Sequence, residues 1–468
     1  AENGNNTEEA ANSGIDLYLK NGAVWQNQWL GAERIAVAGR PVKKGTPESY
    51  LYKGSKIRNL FGGTSAADAG TIFHQEAKPI TVDNYSGWQR VIYGHAADGS
   101  LFGGDFIVKH AAPDSHVILR TDNTGLNTAS TAAADQAKVD KALNDLAGKL
   151  YYLDYVHGGD NLSGTLEIAE SLTAPSAVKT GYIAFEDGTG KGLYSTEPVD
   201  PPFAAVKTVS SHTDEQSVGE TIGENAQQTW DGNTLVEVSG VSVSKGRKNN
   251  YVTGILLDEG GQLTVNGDLK VRVKNTAPAT QGDTATPATA HYRMSGIHAA
   301  LGGRIGNDVD GYEEHDPTRV TVNGNVDINV VGTGMQAGKD SHITVRGGKI
   351  RTHALTTSDT YALLAEEGTV FMNTGADGAA PGTADVDVYG NLGALNTNFD
   401  QAKLMKNPGE HQTLVSLALT TGKSKLTGSV LNEFAENGRN PHDSGVDLYL
   451  KNGALWENQW IGAKRVAV

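Results

Sequence analysis

The residues best equipped for chemistry sit in a few short stretches. Gly63-Thr64-Ser65-Ala66-Ala67 places a serine hydroxyl among small residues, the setting of a nucleophile that attacks a carbonyl. Such a serine needs a histidine base and an orienting carboxylate. No histidine precedes Ser65 in the chain, so the stretch reads as a turn. Gly332 to Asp340 (GTGMQAGKD) approaches a phosphate loop. Its Gly338-Lys339 comes one residue too late, and Asp340 stands where a Mg²⁺-binding hydroxyl belongs. The run Asn307 to Asp316 (NDVDGYEEHD) is acidic enough for Ca²⁺. Aligning Gly311 with the EF-hand glycine puts Gly306 at the first ligand and Pro317 at the bidentate one, which excludes that motif. A solvated loop is the simpler reading, and an irregular calcium site is its rival.

Among the 13 histidines there is no His-Glu-x-x-His and no closely spaced pair for zinc. Polysaccharide hydrolases use paired carboxylates, and lyases add Lys or Arg. Outward strand positions here mix charges: Lys270, Arg272 and Lys274, then Asp327 and Asn329, then Arg346, Lys349 and Arg351. Stacked strands would bring them together as salt bridges or as a carbohydrate-binding face; the charge-paired scaffold is the favoured reading. The sequence therefore assigns no catalytic, cofactor-binding or metal-ligating residue, and leaves binding residues unnamed. The tryptophans Trp25 and Trp29, and again Trp456 and Trp460, read as packing between repeats or over a core, with sugar stacking as the alternative. Tyr151, Tyr152 and Tyr155 read as a packing seam.

Composition narrows the classes further. A net charge of −15 argues against a nucleic-acid face and disfavours anionic lipid. With no cysteine there is no disulfide, zinc-thiolate site or thiol nucleophile. No apolar run approaches the ~20 residues of a membrane helix, and no signal peptide opens the chain.

The elements that must carry these residues are organised around one stretch that occurs twice. Residues 13–37 read SGIDLYLKNGAVWQNQWLGAERIAV, and residues 444–468 read SGVDLYLKNGALWENQWIGAKRVAV. Over these 25 positions only six differ, four of them aliphatic exchanges, so a packing environment has been copied. With Ala1 already inside the unit, the chain reads as one repeat of a longer tandem array. Within the stretch Ile15, Leu17 and Leu19 alternate with polar residues as in a half-buried strand, and Asn21-Gly22 predicts a turn. Short strands follow, among them Ile80 to Val82, Arg90 to Tyr93, Phe106 to Lys109 and Val117 to Arg120.

Between Ala133 and Tyr152 the period changes. Val139, Leu143, Leu146 and Leu150 share one helical face, opposite Lys138, Lys141 and Asp145. Leu162-Ser163-Gly164-Thr165-Leu166 is echoed by Leu426-Thr427-Gly428-Ser429-Val430, and residues 197–202 (EPVDPP) form a stiff connector. Farther on, an apolar strand, an alternating strand and an x-Gly-[Asp/Asn] corner recur three times, at Gly267, Gly324 and Gly390. Insertions at residues 277–290 and 374–384 read as exposed loops.

Regular short strands with irregular insertions predict a mainly β chain: a right-handed parallel β-helix, or solenoid, with one amphipathic helical insertion. Its parts are coils over residues 1–130, the helical insertion over 131–157, coils over 158–200, coils with loop insertions over 201–443, and the start of the next copy over 444–468. A β-sandwich or β-propeller is the structural rival.

Several segments together resemble the passenger region of type V autotransporters of Gram-negative bacteria, in particular repeat-bearing members of a Veillonella-like lineage. They include DLYLKNGAVW from Asp16, SGWQRVIYGH from Ser86, FGGDFIV from Phe102, ALNDLAGKLYY from Ala142, NLSGTLEIAESLTAPSA from Asn161, YALLAEEGTVFMN from Tyr361 and SKLTGSVLNEF from Ser424. The resemblance implies export, a β-helical stalk on the cell surface and a C-terminal outer-membrane barrel outside this sequence, its only link to a membrane. It implies a non-enzymatic adhesin without cofactors. The partners it implies are a host or neighbouring-cell protein or glycan, adjacent repeats and further copies of itself. A polysaccharide-active lyase or hydrolase on the same fold is the alternative function.

Overall fold

A computed structural model of the chain describes residues 14–28, 54–95, 100–122, 126–169, 178–186, 188–198, 203–213, 217–223, 225–240, 252–276, 294–301, 303–307, 313–353, 360–375, 378, 380–396, 413–434 and 444–462. Trp29, the remainder of each repeated stretch, the insertion at 277–290 and the centre of the acidic run lie outside the described residues. The chain divides into two compact units, with the boundary between Pro201 and Pro202, inside the EPVDPP segment.

In the first unit the chain alternates between two sheets. Asp16–Tyr18, Ser55–Phe61, Ile80–Ser86, Phe106–Ala111 and Leu150–Tyr152 form one, in that order and all parallel. Val24–Asn27, Gly70–His74, Trp88–His95, Ser115–Asp122 and Leu162–Ala169 form the other, also parallel. Each pair of strands is one circuit. Ile57 pairs with Val82 and Val82 with Val108, so successive circuits of nearly equal length lie in register.

Alternation explains the burial: Ile80, Val82 and Tyr85 point inward from one strand while Thr81 and Asp83 face outward. Large aromatics fill the space, with Tyr85, Tyr93, Phe106 and Tyr152 all fully buried. The second sheet ends in two antiparallel strands, Val178–Phe185 and Gly192–Ser195. A helix, Ala133–Ala147, buries Val139, Leu143, Leu146 and Ala147 in the same core, and Gly148 ends it. Leu150, read from sequence as the next residue of the helical face, instead opens the strand Leu150–Tyr152. It stays buried, because strand and helix deliver it to one core.

In the second unit each circuit has three faces. One is a seven-stranded parallel sheet: Ser217–Ile222, Val252–Leu257, Met294–Leu301, Thr333–Lys339, Tyr361–Glu366, Asn391–Asn396 and Val430–Phe434. The other two belong to a long bent sheet, also parallel, in which Thr318–Val331 and Ser341–His353 run across both. Ile328 pairs with Ile350 after a short circuit, yet Val271 pairs with Ile328 after a far longer one. Length differences are absorbed outside the strands.

The core is aliphatic, and a column of glycines makes it thin. Gly219, Gly254, Gly296 and Gly334 stack along the seven-stranded sheet. A Cβ on Gly296 would meet the Gly334 carbonyl oxygen at 2.6 Å and Ile328 Cγ2 at 2.7 Å. Val271 and Ile350 press in the same way on Gly254 and Gly334. Each branched knob from the long sheet fills the hole that the missing side chain leaves.

At the corners polar side chains bond the next circuit. Asn233 Oδ1 accepts the Asp268 amide at 3.1 Å, and Asp268 Oδ1 accepts that of Asn325 at 2.8 Å. Asn391 Oδ1 does the same for Ser429 at 3.1 Å.

The chain is thus mainly β, built on several parallel sheets, an arrangement compatible with a β-solenoid. Three further sequence readings need revision. The two Leu-x-Gly segments are not equivalent, because Gly164 lies inside a strand against Ile183 whereas Gly428 turns a corner against Gly390. The insertion at 374–384 is tied down: Thr374 bridges Pro381, and the Asn373 amide reaches Ala384 O at 3.1 Å and Ala418 O at 2.8 Å. The two copies of the repeated stretch also differ in surroundings. Ile15 is 63% exposed, whereas Val446 packs on the core of the second unit.

Candidate functional site

The charged residues singled out from sequence meet on the outer face of the long sheet. Lys270, Asp327, Lys349, Asp387 and Lys425 are consecutive Cα partners, so the sign alternates at every strand. Beside them runs a second column, Glu237, Arg272, Asn329, Arg351, Tyr389, Thr427 and Glu457. The parallel register, with ~4.8 Å between strands, leaves like charges two strands apart. Arg346, at a shift of register, and Lys274, opposite Ser239, stand outside both columns.

Ion pairs run diagonally between the columns. Arg272 grips Asp327 with Nη2–Oδ2 at 2.8 Å and Nη1–Oδ1 at 3.1 Å. Arg351 Nη2 pairs with the Asp387 carboxylate while its Nη1 donates to the Asp387 carbonyl at 3.2 Å, and Lys425 meets Glu457 at 2.9 Å. Burial acts to raise the Asp327 carboxyl, but the Arg272 guanidinium, with Lys349 and Lys270, outweighs it and holds the group below its ordinary range. The Arg272 side chain is only 7% exposed, so its pairing matters more than that of the solvated lysines.

This geometry decides what the face can do. A glycosidase needs one carboxyl kept protonated to serve as general acid. Asp327 is held ionised, and Asp387 is bound by an arginine. The face is a surface of matched charges in which Asp327 and Asp387 are each held by an arginine.

The other candidate chemistries resolve locally. Ser65 Oγ lies 3.1 Å from Asp68 Oδ1, whose carboxylate also accepts the Thr64 and Ser65 amides, which makes a closed turn. Those amides, Thr64 first, hold the exposed Asp68 carboxyl below its usual value. The Gly332 to Asp340 segment is the strand Thr333–Lys339, with both sheet neighbours in place, so its amides cannot cradle phosphate. The acidic run opens and closes an antiparallel pair, Gly303–Asn307 with Glu313–Asp316. Among the described residues no group of three His, Asp or Glu could hold a metal ion.

His74, His116 and His353 are buried within the fold. His116 stacks on Trp88 at 3.9 Å and bonds Ser163 and Thr165, and burial lowers its pKa to about 4. Burial likewise brings His74, held by the Asn27 amide, to about 4 and His353, bonded to Asn329, to about 3.

Trp25 packs on the first core, Trp460 meets Tyr361 edge-on at 6.4 Å, and Trp456 donates to Gly428 O at 2.9 Å. Tyr152 and Tyr155 both lean on Phe185, each with centroids 5.5 Å apart.

Sequence reasoning missed two features. One is a polar cluster at the first copy, where Asp16 accepts from Arg58 Nη2 at 2.9 Å and Asn59 Nδ2 at 2.8 Å. Its signal was the outward Asp16 in an otherwise apolar strand. The other is the glycine column, signalled by Thr253-Gly254-Ile255, Ser295-Gly296-Ile297 and Thr333-Gly334-Met335. Comparison with known protein families, with curated proteins and with solved structures finds no match.

Proposed function

We propose that the chain is a non-enzymatic stretch of right-handed parallel β-helix, displayed at a bacterial cell surface as a stalk and an adhesion or self-association surface, in the manner of an autotransporter passenger. The observation that carries this reading is the alternating ladder Lys270–Asp327–Lys349–Asp387–Lys425. Its charges neutralise one another strand by strand, which suits a face built for many weak polar contacts. Host or neighbouring-cell proteins and glycans are the partners whose surfaces such a face would meet. The same pairing counts against a polysaccharide lyase or hydrolase on this face, because Asp327 and Asp387 are each held by an arginine.

Beads coated with the full chain test the proposal beside a glycan array and a panel of polysaccharides. Concentration-dependent clumping, or retention of a surface glycan, without release of sugar products is the expected result. Release of unsaturated or reducing ends would overturn it in favour of the enzyme.

A further inference from the structure

The order of charges on the long sheet has a symmetry of its own. Lys270, Asp327, Lys349, Asp387 and Lys425 stand on successive strands, so one column reads plus, minus, plus, minus, plus. All five are partly exposed, and the Asp327, Asp387 and Lys425 side chains are 35%, 40% and 40% accessible. A carboxylate has about four acceptor positions, so one held by an arginine still has room for a second cation. Each of the five strands is paired on both sides, and the column therefore does not depend on a sheet edge.

We infer that this face pairs with the same face of a second copy of the chain. The two are related by a two-fold axis that lies between the faces, runs along the strands and passes between the Lys349 and Asp387 strands. The inference deepens the proposed self-association and rests on it for the identity of the partner; the seat itself is read from the order of charges. A two-fold axis makes an interface self-complementary, residue i meeting j and j meeting i. An axis along the stack would set every rung on its own twin, Lys349 on Lys349 and Asp387 on Asp387. An axis running through the Lys349 strand would set Asp327 on Asp387 and Lys270 on Lys425. Both put like charges directly opposite, which opposes pairing. Only an axis between strands sets each sign on its opposite.

Two such axes engage four of the five charges. One passes between the Asp327 and Lys349 strands. It would also bring Asp268 of one copy over Asp385 of the other, since these precede Lys270 and Asp387 by two residues each. The other, between the Lys349 and Asp387 strands, avoids that clash. It sets Lys349 on Asp387 and Asp327 on Lys425, each twice. Beside them Arg351 of one copy meets the ring of Tyr389 of the other, an arrangement suited to a cation–π contact. Exposed ion pairs contribute little singly, so the contact is weak and sensitive to salt, and it gains strength where many copies are displayed together.

Carbodiimide joins a lysine amine to a carboxylate only where the two touch, and mixing the full chain with an isotopically heavy preparation separates bonds between copies from bonds within one. Asp327 and Lys425 lie three strands apart in one chain, roughly 14 Å, so a bond joining them has to cross between copies. We expect that bond in mixed light–heavy form at low ionic strength. Lys349→Glu should weaken association about tenfold. Lys56→Glu, an equal change of charge at an exposed strand position of the first unit, should alter it by less than about twofold. Lys349→Glu and Asp387→Lys chains, neither able to pair with itself, should associate when mixed, with circular dichroism to verify each fold. If Asp387→Lys does not fold, the cross-link in the unmodified chain decides. A Lys270–Asp387 bond between copies in place of the expected one would move the axis and overturn this seat. Absence of any bond between copies along the ladder, where the unmodified chain associates, would overturn the inference outright. Bead clumping without that bond would leave the adhesive reading standing, whereas beads that neither clump nor retain a glycan would sink that reading itself.

Discussion

The two compact units solve the same problem, filling the inside of a strand circuit, with opposite materials. The first has two strand faces per circuit and closes the space with Tyr85, Tyr93, Phe106 and Tyr152 and with a helix laid against the same core. The second has three faces and removes side chains instead. Its glycine column lets Val271, Ile328 and Ile350 reach the opposite backbone. Bulk and deletion are alternative routes to the same packing density. The difference teaches that core width, not strand pairing, is what the two sequences encode differently.

Hydrogen exchange during denaturation, resolved by segment, reads each unit separately and can break this contrast. The largest effect expected is from Phe106→Ala, which should cost the first unit about 3–5 kcal/mol and leave exchange in the second unchanged. A loss no larger than that of a Val→Ala change would show that aromatic fill is not what holds the first core.

Acid comes next. The rings of His74 and His116 are neutral and buried, with folded pKa values of about 4 against 6.5 when free. The unfolded chain therefore binds protons first. Stability is fully present above about pH 6.5 and falls as the pH drops toward 4, by roughly 2–3 kcal/mol per ring. His116→Gln should flatten the acid slope of the first unit and leave that of the second, where His353 titrates lower still. An unchanged slope would mean the ring is already charged in the folded state.

Gly296→Ala should destabilise the second unit by about 1–3 kcal/mol, because the added methyl meets backbone at 2.6 Å. Pairing it with Ile328→Ala makes room on one side, so the combined loss should fall short of the sum. Strict additivity would dismiss the knob-and-hole account. Smallest of all, Lys349→Ala on the outer ladder should cost under about 1 kcal/mol, shrinking further in salt. A larger loss would give that ladder a part in holding the fold.

How much of this was legible follows from what each feature depends on. Strand alternation is local, so Ile80, Val82, Leu269, Val271 and Val273 could be placed inward from sequence. The Asn21-Gly22 turn was legible for the same reason, and both copies adopt it, with φ of 56° at Asn21 and 54° at Asn452. Pairing between circuits joins residues distant in the chain, and no local pattern states which strand lies next to which. The alternation of Lys270, Asp327 and Lys349 was therefore seen as a mixture until register ordered it. The glycine column was missed because Gly254 and Gly296 lie inside strands and stack on each other across residues distant in the chain. Leu150 was assigned to the helix because a buried leucine four residues after Leu146 fits either element until Gly148 is weighed as a stop. At the candidate site, the positions of the charges were readable and their pairing was not.

The uneven circuits of the second unit have a practical consequence. The path from Ile328 to Ile350 is short and that from Val271 to Ile328 is long, and both arrive in register. The stack keeps no memory of how far the polypeptide wandered between rungs, and lengthening such a detour is cheap, about 0.6 kcal/mol per doubling. A foreign epitope grafted between two rungs, for instance after Asn275, should therefore be tolerated as cargo. The scaffold becomes a shelf whose spacing is fixed and whose contents can be exchanged.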